Sequence, residues 1–196
     1  NMKNLIIAGI LAVFATTTVS AEDFDYAEVN TFVSKGNWTI GAREYQDKDY
    51  SQRILRYDFA ESPYRVEYRS VDNAGLKEDR FRLQVKQIKQ GPFFFNSRFE
   101  HRSREGKENV FRYRPQFGIE AQGQPNLLFG RPFVILEPHV QWTYNGDKIE
   151  YSHMQTFIGT KYVFGNFEVS PMIEIDLKDD FSKDVAYFAI DFKIKL

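Results

Sequence analysis

The sequence predicts an all-β protein, a transmembrane antiparallel up-and-down β-barrel of about twelve strands, with ten as the alternative. Three observations carry this. The first is period-two alternation along nearly the whole chain. Phe111, Tyr113, Phe117 and Ile119 fall on one parity, and Arg112, Arg114, Gln116 and Glu120 on the other. Successive side chains of a strand point to opposite faces, so such a run has one apolar and one charged face. The second is the order of features at the start of the chain. Met2 and Lys3 open a basic segment, Leu5 to Ala15 is apolar, and Val19-Ser20-Ala21 has the small-residue form of a cleavage site. That order predicts a secretory signal at residues 1–21, with the barrel occupying 22–196. The third is the lack of any later stretch approaching the eighteen or so apolar residues of a spanning helix. A chain without such a helix crosses a membrane only as a closed barrel, because every backbone polar group must be satisfied internally.

The runs follow in order. Asp23 to Ser34 mixes its parities, and Lys35-Gly36-Asn37 reads as a turn. Trp38, Ile40 and Ala42 begin a second run, which ends near Gln46 to Asp49. Leu55, Tyr57 and Phe59 alternate with Ile54, Arg56 and Asp58, and Pro63 breaks the pattern. Tyr64, Val66 and Tyr68 alternate with Arg65, Glu67 and Arg69, and Asp72 to Gly75 reads as the next turn. Two Arg-rich runs meet at Gln90-Gly91-Pro92. The 98–119 stretch comes next, then the longest loop candidate, from Gly123 to about Pro132. Val134, Leu136, Val140 and Trp142 oppose Glu137, His139 and Gln141. Asn145-Gly146 is a strong hairpin signal. Met154, Thr156, Ile158 and Tyr162 oppose His153, Gln155 and Lys161, and Gly165-Asn166 is another tight turn. Val169, Ile173, Ile175 and Leu177 oppose Glu168, Ser170, Glu174 and Asp176. The last run sets Phe188, Ile190, Phe192 and Ile194 against Asp191 and Lys193.

About eleven runs emerge, at intervals of about sixteen residues, a length that suits tilted membrane-crossing strands. Single-chain bacterial barrels have even strand numbers, so a hidden strand is expected before Lys35 or in the 122–131 loop, or one run is not a strand. Pro115, Pro138 and Pro171 sit inside good runs, where each should cost a ladder hydrogen bond or mark a bulge.

Composition excludes several classes. The chain has no cysteine, hence no disulfide framework, thiolate metal site or cysteine nucleophile. Net charge is −1, which gives no basis for nucleic-acid binding. No nucleotide-binding glycine loop and no low-complexity tract is present. Glu137, His139 and His153 can share a face, an arrangement open to a catalytic or metal cluster, but two histidines and a glutamate in a lumen are more often polar lining. Ser152 lies on the opposite parity to His153, so no Ser–His pair is expected, and no catalytic residue is assigned.

The sharpest feature is basic. Arg56, Arg65, Arg69, Arg80, Arg82, Lys86, Arg98, Arg102, Arg112 and Arg114 all lie on the parity opposite the aromatic positions. Apart from Lys86, these are the candidate substrate-facing, pore-lining residues. A planar, permanently charged guanidinium suits carboxylates. Glu168, Glu174, Asp176 and Asp191 fall on the same parity of the later strands, and opposed basic and acidic walls would set a field across a pore. The alternative is that arginines and acids pair across strands; Arg65-x-Glu67-x-Arg69 and Arg98-x-Glu100-x-Arg102 invite such pairing. Trp38, Tyr57, Tyr68, Tyr113, Trp142, Tyr144 and Tyr162 are candidates for interfacial girdles.

The signal-like start, the chain length, the absence of cysteine, Arg-x-Arg strands such as Arg112-Tyr113-Arg114 and the closing Phe192-Lys193-Ile194-Lys195-Leu196 resemble the oligogalacturonate-specific (KdgM-like) small monomeric porins. That resemblance implies a monomeric twelve-stranded outer-membrane barrel passing acidic oligosaccharides along basic tracks, with lipid around it and no cofactor. The family tends to end Phe-Lys-Leu, and here Ile194 and Lys195 intervene. The alternatives are a narrow or plugged outer-membrane barrel with a structural or adhesive role, and a periplasmic β-barrel binding an apolar ligand.

Overall fold

A computed structural model of the chain describes residues 24–46, 48–122, 130–143 and 149–196. The predicted signal segment, the Gly123–Asn126 loop, Tyr144 and the Asn145-Gly146 turn lie outside the described residues. Among the described residues, eleven strands form one closed barrel: β1 (Tyr26–Lys35), β2 (Trp38–Tyr45), β3 (Tyr50–Asp58), β4 (Tyr64–Asn73), β5 (Leu76–Gln90), β6 (Phe93–Arg104), β7 (Val110–Glu120), β8 (Arg131–Thr143), β9 (Ile149–Phe164), β10 (Phe167–Leu177) and β11 (Lys183–Lys195). No helix among the described residues is long and apolar enough to cross a membrane.

Every run read from the sequence is a strand, including the mixed one, and the described residues add no twelfth. Consecutive strands pair antiparallel, while β1 and β11 pair in parallel, from Tyr26↔Tyr187 to Ser34↔Lys195. The reason is topological. In an up-and-down meander with an odd number of strands, the first and last run the same way, so the barrel closes only through a parallel pair. One end of the barrel, the turn end, therefore carries the 36–37, 91–92 and 165–166 turns and the end of β11. The opposite end carries the start of β1 and the 74–75 and 178–182 turns. Ala74 and Gly75 both adopt positive φ (53° and 83°), the backbone of a tight hairpin that only a small residue and a glycine accept easily. In the 178–182 turn, Asp180 accepts from the Ser182 amide (2.9 Å) and hydroxyl (2.6 Å), which holds its carboxyl below the usual range.

The prolines interrupt the ladder as their chemistry requires. Pairing of β7 with β8 skips from Tyr113↔Val140 to Phe117↔Leu136 around Pro115 and Pro138. Pairing of β9 with β10 skips from Val169↔Tyr162 to Met172↔Gly159 around Pro171. A bulge at His139/Val140 lies just beyond Pro138, and another between Val85 and Ile88 shifts the end of β5.

Polarity is inverted relative to a water-soluble protein. The largest fully enclosed side chains are His139, Gln52, Glu28, Glu100, Glu137 and Asn30, all polar. Ile40, Phe81, Leu83, Phe99 and Phe117 are each about half exposed or more on the outside. Trp38 and Tyr57 pack at a tilt on that outer face with ring centroids 4.7 Å apart, as do Phe99 and Tyr113. Strands about 4.8 Å apart and tilted by about 40° give an eleven-strand wall a radius of about 11 Å. Arginine side chains from neighbouring and next-neighbouring strands therefore reach one another's partners inside. The mixed parity of β1 also finds its cause, since Phe32 points inward, over Gly41 and within 5.6 Å of the Arg56 guanidinium.

Candidate functional site: the charged lumen

The lumen is organised by glutamates that each collect several cations. On β4, Glu67 accepts from Arg56 (2.8 Å at Nε), Arg69 (2.5 Å) and Arg82 (3.0 Å). Arg69 also donates to Gln52 (2.7 Å), and Arg82 pairs with Glu100 on β6. On β8, Glu137 takes both oxygens to Arg98 Nη2 (2.6 and 2.7 Å), accepts from Arg114 Nε (2.6 Å) and Gln116, and meets His139 Nε2 at 2.8 Å. Arg114 continues to Gln155 on β9, and Gln155 to Glu174 on β10 (2.8 Å). Glu78 on β5 holds Arg80 and Arg102 (2.7 Å) nearer the end opposite the turns. At the turn end, Glu120 holds Lys161 (3.1 Å), Lys89 and Arg131 (3.3 Å each). An uncompensated buried charge is too costly to keep, and sharing each carboxylate among two or three cationic side chains is what makes this interior possible.

The sequence-predicted arginines thus have definite places. Arg56, Arg65, Arg69, Arg80, Arg82, Arg98, Arg102 and Arg114 face the interior, each paired with a carboxylate; for Arg65 the partner is Asp58 (2.7 Å). Arg112 donates to the Gln141 amide oxygen instead (3.1 Å). The wall is therefore an alternating ion-pair belt, not a row of bare cations. The acids at its nodes, Glu67, Glu78, Glu100 and Glu137, were not read as site residues from the sequence, although the first three share the parity of an arginine two residues away. At mid-height the belt is densely packed: Glu67 is 3 % exposed, Arg82 4 %, Glu100 1 % and Glu137 0 %.

Towards the end opposite the turns, the lumen is lined by tyrosines. Tyr45 packs edge-on against Tyr50 (4.7 Å between centroids), and Tyr26 lies 5.0 Å from Tyr187. The His139 and His153 rings lie 3.9 Å apart. Ser152 corrects the parity expectation. It is the extra residue of the bulge at His139/Val140, so its hydroxyl swings to within 3.0 Å of His153 Nδ1. Among the described residues, no group of three or more acidic or histidine side chains is arranged to hold a metal ion.

Towards the turn end, the lumen opens into a chamber of about 350 Å³. Arg56, Arg65, Gln84 and Gln87 line one side; Phe133, Ile135, Phe157 and Met172 form an apolar patch across from them; Phe94, Asn96 and Arg98 stand between; and charged side chains, among them Glu28, Glu120, Lys161, Glu174, Asp191 and Lys193, complete the lining. Phe94 rests on Gly118 and Phe133 on Gly159, where an added Cβ would come within 2.1 Å and 2.8 Å of the rings. This apolar wall was not read from the sequence, although Phe133 and Ile135 share the parity of Glu137.

Fold and interior together define the class: a closed β-barrel with an apolar outer wall and an ion-paired, polar lumen, an architecture compatible with an outer-membrane protein. Comparison with models of known protein families, with curated proteins and with solved structures gives no match.

Proposed function

We propose that this protein is a monomeric outer-membrane barrel that passes small hydrophilic, acidic solutes, sugar acids and their oligomers foremost, through a lumen gated by its own ion pairs. The observation that carries the reading is the belt around Glu67 and Glu137 inside a wall that is apolar outside. Water and lipid have exchanged places relative to a soluble protein, and the lumen offers guanidiniums whose present partners are carboxylates. An incoming carboxylate can take the place of Glu67 or Glu137 on the same arginines, so that passage is an exchange of partners and leaves no charge bare. The resemblance to the KdgM-like porins and the signal-like start support the same compartment and solute class. No chemical step is assigned to the lumen, and the His139–His153 pair reads as lining. The near-zero exposure of the node glutamates favours a second reading, a plugged barrel with a structural or adhesive role.

Planar-bilayer recording separates the two. Under the proposal, the wild type gives small, intermittent openings, and Glu67→Gln with Glu137→Gln raises the open probability at least several-fold. Large, steady openings in the wild type would show that the belt does not gate. Silence in both proteins would leave the structural reading standing.

A further inference from the structure

We infer that the chamber at the turn end is a binding site for a small carboxylate with an apolar body, an aryl carboxylate in the first instance. The lining sets an apolar patch in a largely charged surround. Phe133, Ile135, Phe157 and Met172 come from β8, β9 and β10, while Arg56 and Arg65 come from β3 and β4 across the barrel. Elsewhere the enclosed lumen is built mainly from charged, amide and tyrosine side chains, so this patch of phenylalanine, isoleucine and methionine against an open cavity is a departure from its surroundings. It is also a constructed one, since Gly118 and Gly159 leave no Cβ where Phe94 and Phe133 lie. Water against that wall is unfavourable, and a ligand's apolar body would displace it.

The charge of the lining points to an anion. Seven arginine and lysine side chains line the chamber against four carboxylates, Glu28, Glu120, Glu174 and Asp191, so its field favours a negative ligand. Arg65 engages Asp58 through Nε (2.7 Å), and its side chain is 24 % exposed, which leaves its other guanidinium donors open to a carboxylate. A sugar acid would set hydroxyls against phenylalanines, and a plain hydrocarbon would leave the donors unmatched. A volume of about 350 Å³ lies at the small end of ligand pockets, enough for one ring and a short chain.

This inference does not depend on conduction and is tested without a membrane. Folded protein in non-ionic detergent is titrated calorimetrically with phenylacetate, phenylacetamide and glucuronate. Phenylacetate should bind at least tenfold more tightly than phenylacetamide and at least tenfold more tightly than glucuronate. Arg65→Gln, at the partly exposed rim, and Phe157→Ala should each weaken phenylacetate at least fivefold, with folding verified by heat-dependent gel mobility. Arg65→Gln also reports any partition of the probe into micelles, which it would not change. Glucuronate binding as tightly as phenylacetate, or phenylacetate binding unchanged in both variants, overturns the assignment. A barrel silent in bilayers that still binds phenylacetate would retain the chamber and lose the channel; a conducting barrel that ignores phenylacetate would do the reverse.

Discussion

Replacing Glu137 by Gln is the sharpest test of how this interior is held together. Gln has nearly the same volume and keeps one carbonyl oxygen, so packing is preserved and the charge alone is removed. Glu137 is fully enclosed and sits between two guanidiniums, with Arg98 at 2.6 Å and Arg114 at 2.6 Å. Removing one partner of a buried pair typically costs about 3–5 kcal/mol, because the remaining charge is stranded. Two modifiers act here. Arg114 keeps Gln155 as a partner, and the Arg98 side chain, 14 % exposed towards the chamber, can turn to water. The lower end, about 3 kcal/mol, is therefore expected. The matched control is Glu44→Gln. Glu44 pairs with Arg53 at 3.0 Å on the outer surface, with both side chains about 60 % exposed, and such pairs contribute below about 1 kcal/mol. Reversible denaturant unfolding in lipid vesicles, followed by the fluorescence of Trp38 and Trp142, reads both. A Glu137→Gln cost no larger than that of Glu44→Gln would refute the argument that the belt is desolvated and holds the barrel together.

Other expectations follow from the same geometry. Ile190 lies outward on β11, opposite Pro171, and Ile190→Arg should cost about 2–4 kcal/mol if it faces the bilayer midplane; normal insertion and stability would count against that placement. Gly118→Val drives a side chain into the Phe94 ring and should cost about 1–3 kcal/mol by overpacking, measured by the same unfolding assay; an unchanged midpoint would mean that Phe94 has another rotamer available. Changing Arg82, Arg98 and Arg112 together to Gln leaves Glu67, Glu100 and Glu137 short of cations, so reversal potentials under a salt gradient should shift towards cation preference; no shift would separate these side chains from the ion path. Unheated protein should migrate differently from boiled protein on a gel, as a closed barrel retains its ladder in detergent, and identical mobility would speak against a detergent-stable barrel.

Much of this architecture is legible from the chain. Period-two alternation identified the strands, including the weak run that becomes β1, and the turns at Gly36, Gly75, Gly91 and Gly165 are punctuated by residues whose backbone demands are local. The interruptions at Pro115, Pro138 and Pro171 were legible for the same reason, since a missing amide is a property of one residue.

Strand number and pairing partners were decided elsewhere. Alternation says which face a side chain is on and nothing about how the ends of the sheet meet, so an even count was expected and eleven strands closing through a parallel β1–β11 pair were found. The arginine series was visible as a stripe, but a stripe has no depth. Whether it repels, pairs or stays open to solvent depends on the barrel's radius and on which strands curve to face one another, and closure sets both. Ser152 is the smallest instance. Its parity points it away from His153, and a bulge in the pairing of β9 with β8 turns it back. The amino-acid order therefore determined the elements and their inner and outer faces, because those are properties of consecutive residues. The ion-pair belt, the chamber and its apolar wall come from the tertiary structure alone, because they are contacts between residues dozens of positions apart that only a closed wall brings within hydrogen-bonding distance.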